Sequence, residues 1–203
     1  LEFRRVLFRS DGFHAEYNKV SESVFSIGNG KGGQRANFEE TFSGQTLKGS
    51  YVSGVYYPDK TRVGWWKNGY PEYFAKMLNA PSWIGLHIRL DGEELDLAKC
   101  SVSEFRRELD MRHGTLLRRF TAQTAGGRQL RVESVRFLSI VRDEIGAISY
   151  SIEPLNFVAD IEITSDVDAD IVNEDSNYDE KFWIEISKCS DSQKIGRASC
   201  RER

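Results

Sequence analysis

The chain has 203 residues, a formal net charge of -3 and 39% hydrophobic residues, which is enough apolar material for one sizeable core and at most two domains. No apolar run approaches the ~18 residues that a membrane-spanning helix needs, and no secretory signal is visible at the N-terminus. Cys100, Cys189 and Cys200 lack metal-ligand spacing, and such a sparse, odd set argues against a disulfide framework. We therefore expect a protein of the reducing cytoplasm, with no membrane partner.

Both ends of the chain differ from the segment between them. Residues 1–10 (LEFRRVLFRS) and 195–203 (IGRASCRER) are arginine-rich, fit neither a helix nor a strand pattern well, and resemble translated sequencing-adapter DNA. We expect two artefact tails flanking a domain at residues 11–194, the alternative being an ordinary basic arm at each end. The segment 11–194 is acidic and has no basic patch, so no nucleic-acid partner is expected.

A glycine-rich motif follows the first apolar stretch. Residues 28–33 (GNGKGG) formally fit the G-x-G-x-x-G pattern of dinucleotide-binding turns. A dinucleotide site needs an amphipathic helix directly after the turn, and residues 34–42 (QRANFEETF) lack that pattern. The motif therefore predicts a tight turn that needs a positive φ, and no nucleotide cofactor.

The candidate site lies in the next segment, residues 43–81, which are rich in glycine and aromatic residues. Little alternation occurs there, so we expect long loops laid over a sheet, with one or two helical turns at residues 73–78. Within the segment, VGWWKNGYP packs aromatic residues between glycines. Aromatic rings stack on sugar faces, and the polar pair could hydrogen-bond sugar hydroxyls. The substrate-proximal candidates are Trp65, Trp66, Lys67 and Asn68; alternatively, the aromatics fill the edge of the core or an interface.

The remaining segments alternate with the period of strands. Residues 84–90 place isoleucine and leucine at every second position, and Asp91-Gly92 follows at once, which is a strong hairpin signal. A second hairpin is expected around residues 125–127. Further strands follow the same pattern at residues 115–124, 128–141, 145–153 and 160–164. These signals predict an all-β fold, an antiparallel sandwich of at least eight strands in two facing sheets.

An acidic segment near the C-terminus has aspartates at the spacing of calcium ligands. Asp166, Asp168 and Asp170 match the opening of an EF-hand loop, but Ile171 stands where glycine is needed and Asn177 where a bidentate glutamate is needed. We expect a solvated acidic loop, no metal site and no metal cofactor. Paired carboxylates can act as general acid and base, but no apolar pocket is evident here to raise a pKa. No catalytic residue is predicted.

Two segments resemble the opening of glycoside hydrolase family 65: residues 22–30 (ESVFSIGNG) and 35–40 (RANFEE). Others look like the N-terminal domain of that family throughout, at residues 51–56, 58–71, 78–84, 107–112 with Gly114, and 154–157. The stretch PDKTRVGWWKNGYP, with Asn173 to Asp175 and residues 180–183, is most like the maltose phosphorylase branch. The resemblance covers residues 11–187.

The resemblance implies a large β-sandwich of the galactose-mutarotase-like supersandwich type, here incomplete, followed in the intact protein by an (α/α)6 barrel that carries catalysis. It implies that the parent, as a homodimer, cleaves a disaccharide such as maltose with inorganic phosphate, giving β-glucose 1-phosphate and a free sugar. The chain itself, a truncated fragment without the barrel, is expected to be inactive. The alternatives are a trehalose, kojibiose or nigerose phosphorylase, a hydrolase of the same family, or a free-standing carbohydrate-binding module.

Overall fold

A computed structural model of the protein describes residues 7–61, 69–173, 181–191 and 194–202. Their helical structure comprises α1 (Asn18–Val24) and two 3-10 turns, Ala15–Tyr17 and Leu97–Lys99. The strands are β1 (Leu7–Asp11), β2 (Ile27–Gly28), β3 (Gly32–Gln34), β4 (Ser50–Val52), β5 (Tyr56–Lys60), β6 (Tyr73–Met77), β7 (Leu86–Leu90), β8 (Glu93–Glu94), β9 (Ser101–Asp110), β10 (Thr115–Gln123), β11 (Gln129–Leu138), β12 (Gly146–Pro154), β13 (Ile161–Ser165), β14 (Trp183–Asp191) and β15 (Lys194–Glu202).

The largest sheet has five antiparallel strands in the order β1-β9-β10-β11-β12. Alternation places one face of it inward, so that Phe120 and Ala122 of β10 and Val132 of β11 are fully buried. The β10–β11 hairpin closes through a bond from the Gly127 N–H to the Thr124 carbonyl, at 2.9 Å. Long strands joined by tight hairpins fix the register of this face.

A three-stranded sheet, β13-β7-β8, covers that inward face. Ile88 and Leu90 of β7 share one buried cluster with Phe105 of β9, Phe120 of β10 and Val132 of β11. Because the cluster draws side chains from both sheets, the sheets face each other across one core. Each such large side chain contributes roughly 1.5–3 kcal/mol by leaving water. The predicted all-β antiparallel sandwich is confirmed.

Smaller sheets complete the structure: β2-β3-β4, the β5–β6 hairpin and the β14–β15 pair. A second buried cluster joins Phe25 and Ile27, next to β2-β3-β4, to Leu109 and Leu116 of the large sheet. This cluster holds the glycine-rich segment against the end of the sandwich.

Several local predictions need correction. The helical turns expected at residues 73–78 are wrong, because this segment is β6 and pairs with β5 from Tyr56↔Met77 to Lys60↔Tyr73. Residues 43–81 are likewise not all loop, since they contain β4, β5 and β6. The seven-residue helix α1 was not predicted, because it is too short to show a helical period.

The predicted boundary after residue 10 falls inside β1, which pairs Leu7 with Asp110 and Phe8 with Leu109. Both side chains lie at the sheet edge, and Phe8 is 49% exposed. At the other end, β15 pairs with β14 from residue 194 to residue 202. The division into tails and domain stays a prediction. Among the described residues, no helix has the length and apolar character to span a membrane.

Candidate functional site

The four residues predicted as the site, Trp65, Trp66, Lys67 and Asn68, lie outside the described residues. The structure does describe the segments that flank them, which are β5 and β6. The hairpin is extended beyond the strands by a bond from the Thr61 N–H to the Glu72 carbonyl, at 2.8 Å. The predicted site residues therefore lie, in the sequence, between the two strands of one hairpin.

The two faces of this hairpin differ in their surroundings. On one face Tyr57 packs on the buried ring of Phe182, with ring centroids 4.7 Å apart, and the Lys76 ammonium lies 5.1 Å from the centre of the same ring. On the other face Tyr56 is 42% exposed and Tyr73 is 52% exposed. One face thus anchors the hairpin to the domain, while the other presents aromatic surface to solvent.

The glycine-rich motif forms a turn organised by the amide of Asn29. Its Oδ1 accepts from the Lys31 N–H at 3.0 Å and from the Gly32 N–H at 2.7 Å, and Gly30 has a φ of 89°. Its Nδ2 donates to the carbonyl of Ser139 at 2.7 Å and to that of Asp143 at 2.9 Å. The motif therefore serves to fasten the loop between β11 and β12 beside the turn.

A cleft of about 470 Å³ opens between this turn, that loop and β4. Its aromatic wall residues are Tyr51 and Trp83, and glycines form part of its surface. Trp83 packs so closely on Gly146 that a Cβ at that position would lie 2.5 Å from its Cη2 atom. Gly33 pairs with Tyr51 across β3 and β4, so the two positions share a face of this small sheet. The result is an apolar cleft with aromatic walls.

Three charged residues line this cleft. The Lys31 ammonium lies 3.3 Å from a carboxylate oxygen of Asp143 and 3.6 Å from one of Glu144. The hydrogen bond to Asp143 and the nearby carboxylate charges raise the pKa of Lys31. One cation thus faces two carboxylates, which leaves an excess of negative charge at this end of the cleft. No sequence pattern predicted the cleft, because its walls come from four separate segments of the chain.

The acidic segment does not gather into a site. The Asp168 backbone pairs with that of Ser82, and the Asp168 carboxylate lies 3.5 Å from the Lys48 ammonium. Asp170 forms an ion pair with Lys181, which lowers the pKa of Asp170. Asp166 lies 3.5 Å from a ring nitrogen of the exposed His87. Among the described residues, no three His, Cys, Asp or Glu side chains are grouped to hold a metal ion. Residues 174–180 lie outside the described residues.

A buried ion cluster, missed by the sequence analysis, lies between the layers of the sandwich. Arg118 of β10 donates to the carboxylates of both Glu39 and Glu40, and all three side chains are at most 4% exposed. Tyr150 donates to Glu40 at 3.0 Å, and Arg136 lies 3.5 Å from Glu39. Burial alone would raise the pKa of Glu39, but the charges of Arg118 and Arg136 lower it to about 2. The opposed contributions leave Glu39 ionised in the folded protein.

The cluster continues through Arg107, which stands directly opposite Arg118 in the β9–β10 register. Burial and the charge of Arg118 lower the pKa of Arg107 to about 10, against the opposite pull of Glu22 and Glu39. Glu22 is itself fully buried and accepts from Asn18 at 2.8 Å. A signal for this cluster existed, because arginines occupy inward positions in otherwise apolar alternating runs.

Comparison with known proteins identifies the family. The model of glycosyl hydrolase family 65, N-terminal domain, matches residues 8–200. The chain belongs to this family. Its relatives include the maltose phosphorylase of Bacillus subtilis (strain 168), which is 44% identical over 184 residues, covering 91% of this chain and 24% of the relative. The α,α-trehalose phosphorylase of Thermoanaerobacter brockii is 30% identical over 184 residues, covering 87% of this chain and 23% of the relative.

The solved structure of a putative kojibiose phosphorylase from the human microbiome superposes with a TM-score of 0.82 at 28% identity. The superposition covers 97% of this chain and 25% of that chain. This family 65 chain therefore spans about a quarter of the length of the relatives that it matches. The matched range reaches into both segments that the sequence analysis set aside as tails.

Proposed function

We propose that this chain is the accessory, non-catalytic sandwich domain of a disaccharide phosphorylase of the maltose type. The observation that carries the proposal is the 44% identity to a maltose phosphorylase, against 30% for a trehalose phosphorylase over the same number of residues. The runner-up is a trehalose, kojibiose or nigerose phosphorylase, or a hydrolase of the family. A free-standing carbohydrate-binding module is the alternative from another functional class.

The reaction would belong to the rest of the intact protein, a catalytic (α/α)6 barrel. There a phosphate oxygen would bond to the anomeric carbon as the glycosidic C–O bond breaks, and a carboxylic acid would protonate the departing oxygen. The products are β-glucose 1-phosphate and free glucose. No residue of this chain is assigned a catalytic role, and no cofactor is proposed. A cytoplasmic location is proposed from the few cysteines.

The β5–β6 hairpin would be the domain's contribution to the assembled enzyme. Its solvent-facing tyrosines flank the segment with Trp65, Trp66, Lys67 and Asn68, which we propose contacts the sugar site of the barrel or the other subunit of a homodimer. Aromatic rings suit both roles, since they bury a large area and stack on sugar rings. The anchoring of the opposite face on Phe182 supports this role, because a docking segment needs a fixed base.

Chimeric enzymes test the family branch. Residues 11–191 would replace the matching segment of the B. subtilis maltose phosphorylase and, separately, of the T. brockii trehalose phosphorylase. We expect the first chimera to release glucose 1-phosphate from maltose and phosphate, and the second to be much less active on trehalose, because its interface matches less well. The chain alone should release none. Turnover by the purified chain, or the reverse order of the chimeras, would refute the proposal.

The hairpin role is tested in the active chimera by Trp65→Ala and Trp66→Ala. We expect KM for maltose to rise about fivefold, or the dimer to weaken, because an aromatic contact contributes on the order of 1 kcal/mol. The Tm should change little. Tyr17→Ala, at another exposed aromatic residue, is the control and should change neither quantity. A large loss of Tm with an unchanged KM would show that the tryptophans belong to the core.

A further inference from the structure

We propose that the cleft beside Trp83 is a binding site for a neutral sugar, separate from the predicted site on the β5–β6 hairpin. The cleft has a volume of about 470 Å³, which lies within the ~300–1,000 Å³ range of small-molecule sites. That volume suits a mono- or disaccharide. The choice of maltose as the probe rests on the proposed function, whereas the site itself rests on the geometry of the cleft.

The walls suit the apolar faces of a sugar ring. Tyr51 and Trp83 supply aromatic surface, and the Trp83 ring is held in place by close packing on the backbone of Gly146. Aromatic side chains fixed in this way lose little conformational entropy when a ligand binds. C–H groups of a pyranose can therefore pack on walls that are already in position.

The charged end of the cleft suits sugar hydroxyls. The carboxylates of Asp143 and Glu144 are acceptors, and their side chains remain 43% and 70% exposed despite the ion pairs with Lys31. Hydroxyls of a neutral sugar can donate to them. Two carboxylates against one ammonium disfavour an anionic ligand, because added negative charge would be repelled. The charge balance thus selects an uncharged sugar over a sugar phosphate.

A second reading of the cleft is that it receives an apolar side chain from another protein. The adjoining loop exposes two apolar residues, Ile140 and Val141. The alternative to test is therefore self-association, in which a second copy of the chain fills the cleft. The charged end argues for the sugar, because an apolar side chain in the cleft would cover Asp143 and Glu144 without donating a hydrogen bond to either. Sugar hydroxyls would satisfy them.

Binding is measured on the 203-residue chain by isothermal titration calorimetry, with tryptophan fluorescence in parallel. We expect maltose to bind with a Kd of about 1 mM, typical of a weak site of this kind, and glucose 1-phosphate to bind more weakly than glucose. Trp83→Ala should weaken maltose binding at least tenfold. Because removal of Trp83 could also loosen the fold, Gly33→Val is the second variant: a Cβ there meets nothing closer than 3.8 Å, and the valine would occupy the cleft.

Tyr17→Ala, at an exposed aromatic residue outside both the cleft and the β5–β6 hairpin, is the matched control and should leave maltose binding unchanged. The proposal is overturned if the chain binds no maltose, if Gly33→Val binds as the unaltered chain does, or if glucose 1-phosphate binds more tightly than glucose. The proposal is also overturned if the unaltered chain binds no sugar but forms a dimer, and the Gly33→Val variant is a monomer. That result would show that the cleft is a dimer interface. If the chain binds no sugar but the maltose phosphorylase chimera cleaves maltose, only the proposed sugar site in the cleft is refuted. If the chain binds sugar but the chimera is inactive, only the proposed function is refuted.

Discussion

Replacement of Arg118 by methionine tests the energetic role of the buried ion cluster. Methionine keeps the apolar stem of the side chain but removes the guanidinium that Glu39 and Glu40 share. Afterwards Glu40 retains the Tyr150 hydroxyl at 3.0 Å, and Glu39 retains Arg136 at 3.5 Å. The two buried carboxylates would then lack the guanidinium that neutralises them. A buried charge without its partner lowers the free energy of unfolding.

The expected cost follows from two independent arguments. Removal of one partner of a buried ion pair destabilises proteins by about 3–5 kcal/mol. Separately, the pKa of Glu39 falls from an ordinary 4.5 to about 2 on folding, which corresponds to about 3 kcal/mol for the charged form. The two agree in order of magnitude. Since whole domains are stable by about 5–15 kcal/mol, Arg118→Met should lose a large part of the free energy of unfolding.

The pH dependence gives a second signature with a definite sign. A carboxyl whose pKa is lowered on folding stabilises the protein above its unfolded pKa and loses that contribution as the pH falls toward its folded pKa. The unaltered protein should therefore lose stability between about pH 4.5 and 2 through Glu39. Without Arg118 the pKa of Glu39 is lowered less, because Arg136 remains as the nearby cation that opposes the effect of burial. The variant's deficit should then be largest near pH 7 and shrink on acidification.

The assay is urea unfolding followed by circular dichroism, at pH 7 and at steps down to pH 3. Arg131→Met is the matched control, because Arg131 pairs with Glu153 at 2.8 Å on the outer face of the same sheet, with both side chains more than half exposed. Such a surface pair contributes at most about 1 kcal/mol. Adding Glu40→Met to Arg118→Met should recover part of the loss. If Arg118→Met costs no more than Arg131→Met, or its deficit grows on acidification, the cluster does not act as described.

Three further outcomes are expected. Asn29→Ala removes four hydrogen bonds and should cost about 2–4 kcal/mol in urea unfolding, with Asn29→Asp intermediate because it keeps both acceptor bonds. Gly146→Ala should displace the Trp83 ring, shift the tryptophan emission and cost about 1–3 kcal/mol, whereas Gly126→Ala, with 3.8 Å of clearance, should do neither. Burial raises the pKa of Cys100 to about 11, so iodoacetamide should label this thiol at pH 8 about a hundredfold more slowly than a free thiol. Mass spectrometry of the peptide that contains Cys100 measures the rate, and rapid labelling would contradict the burial.

Local signals carried much of the fold. The Asp91-Gly92 turn was predicted from two letters, and both residues do take positive φ angles, 52° and 83°, between β7 and β8. The hairpin around residues 125–127 follows the same logic, with Gly127 at a φ of 80°. Alternation then supplied the strands themselves, because a period of two is enforced wherever one face of a sheet is buried. The sandwich class followed from these elements without any long-range information.

The features that the sequence analysis did not predict depend on contacts with residues far away in the chain. The segment of β6, YFAKM, has no clean alternation, and only its pairing with β5 makes it a strand. Arg118 reads as a surface residue by its type, yet its inward position is acceptable only because Glu39 and Glu40, almost eighty residues earlier, meet it there. Sequence alone gives the face on which a side chain lies, but not the partner that makes a buried charge tolerable.

The glycine-rich motif shows how the two kinds of information combine. The requirement of Gly30 for a positive φ is local, and the sequence predicted it. The role of Asn29 is not local, since its Nδ2 donates to carbonyls of residues more than a hundred positions away. Those bonds fix the loop that carries Asp143 and Glu144, and the same turn positions Lys31 against them. A motif that was read as a simple turn thus sets the distance between the cation and the carboxylates of the cleft, so any change in the turn alters the proposed sugar site.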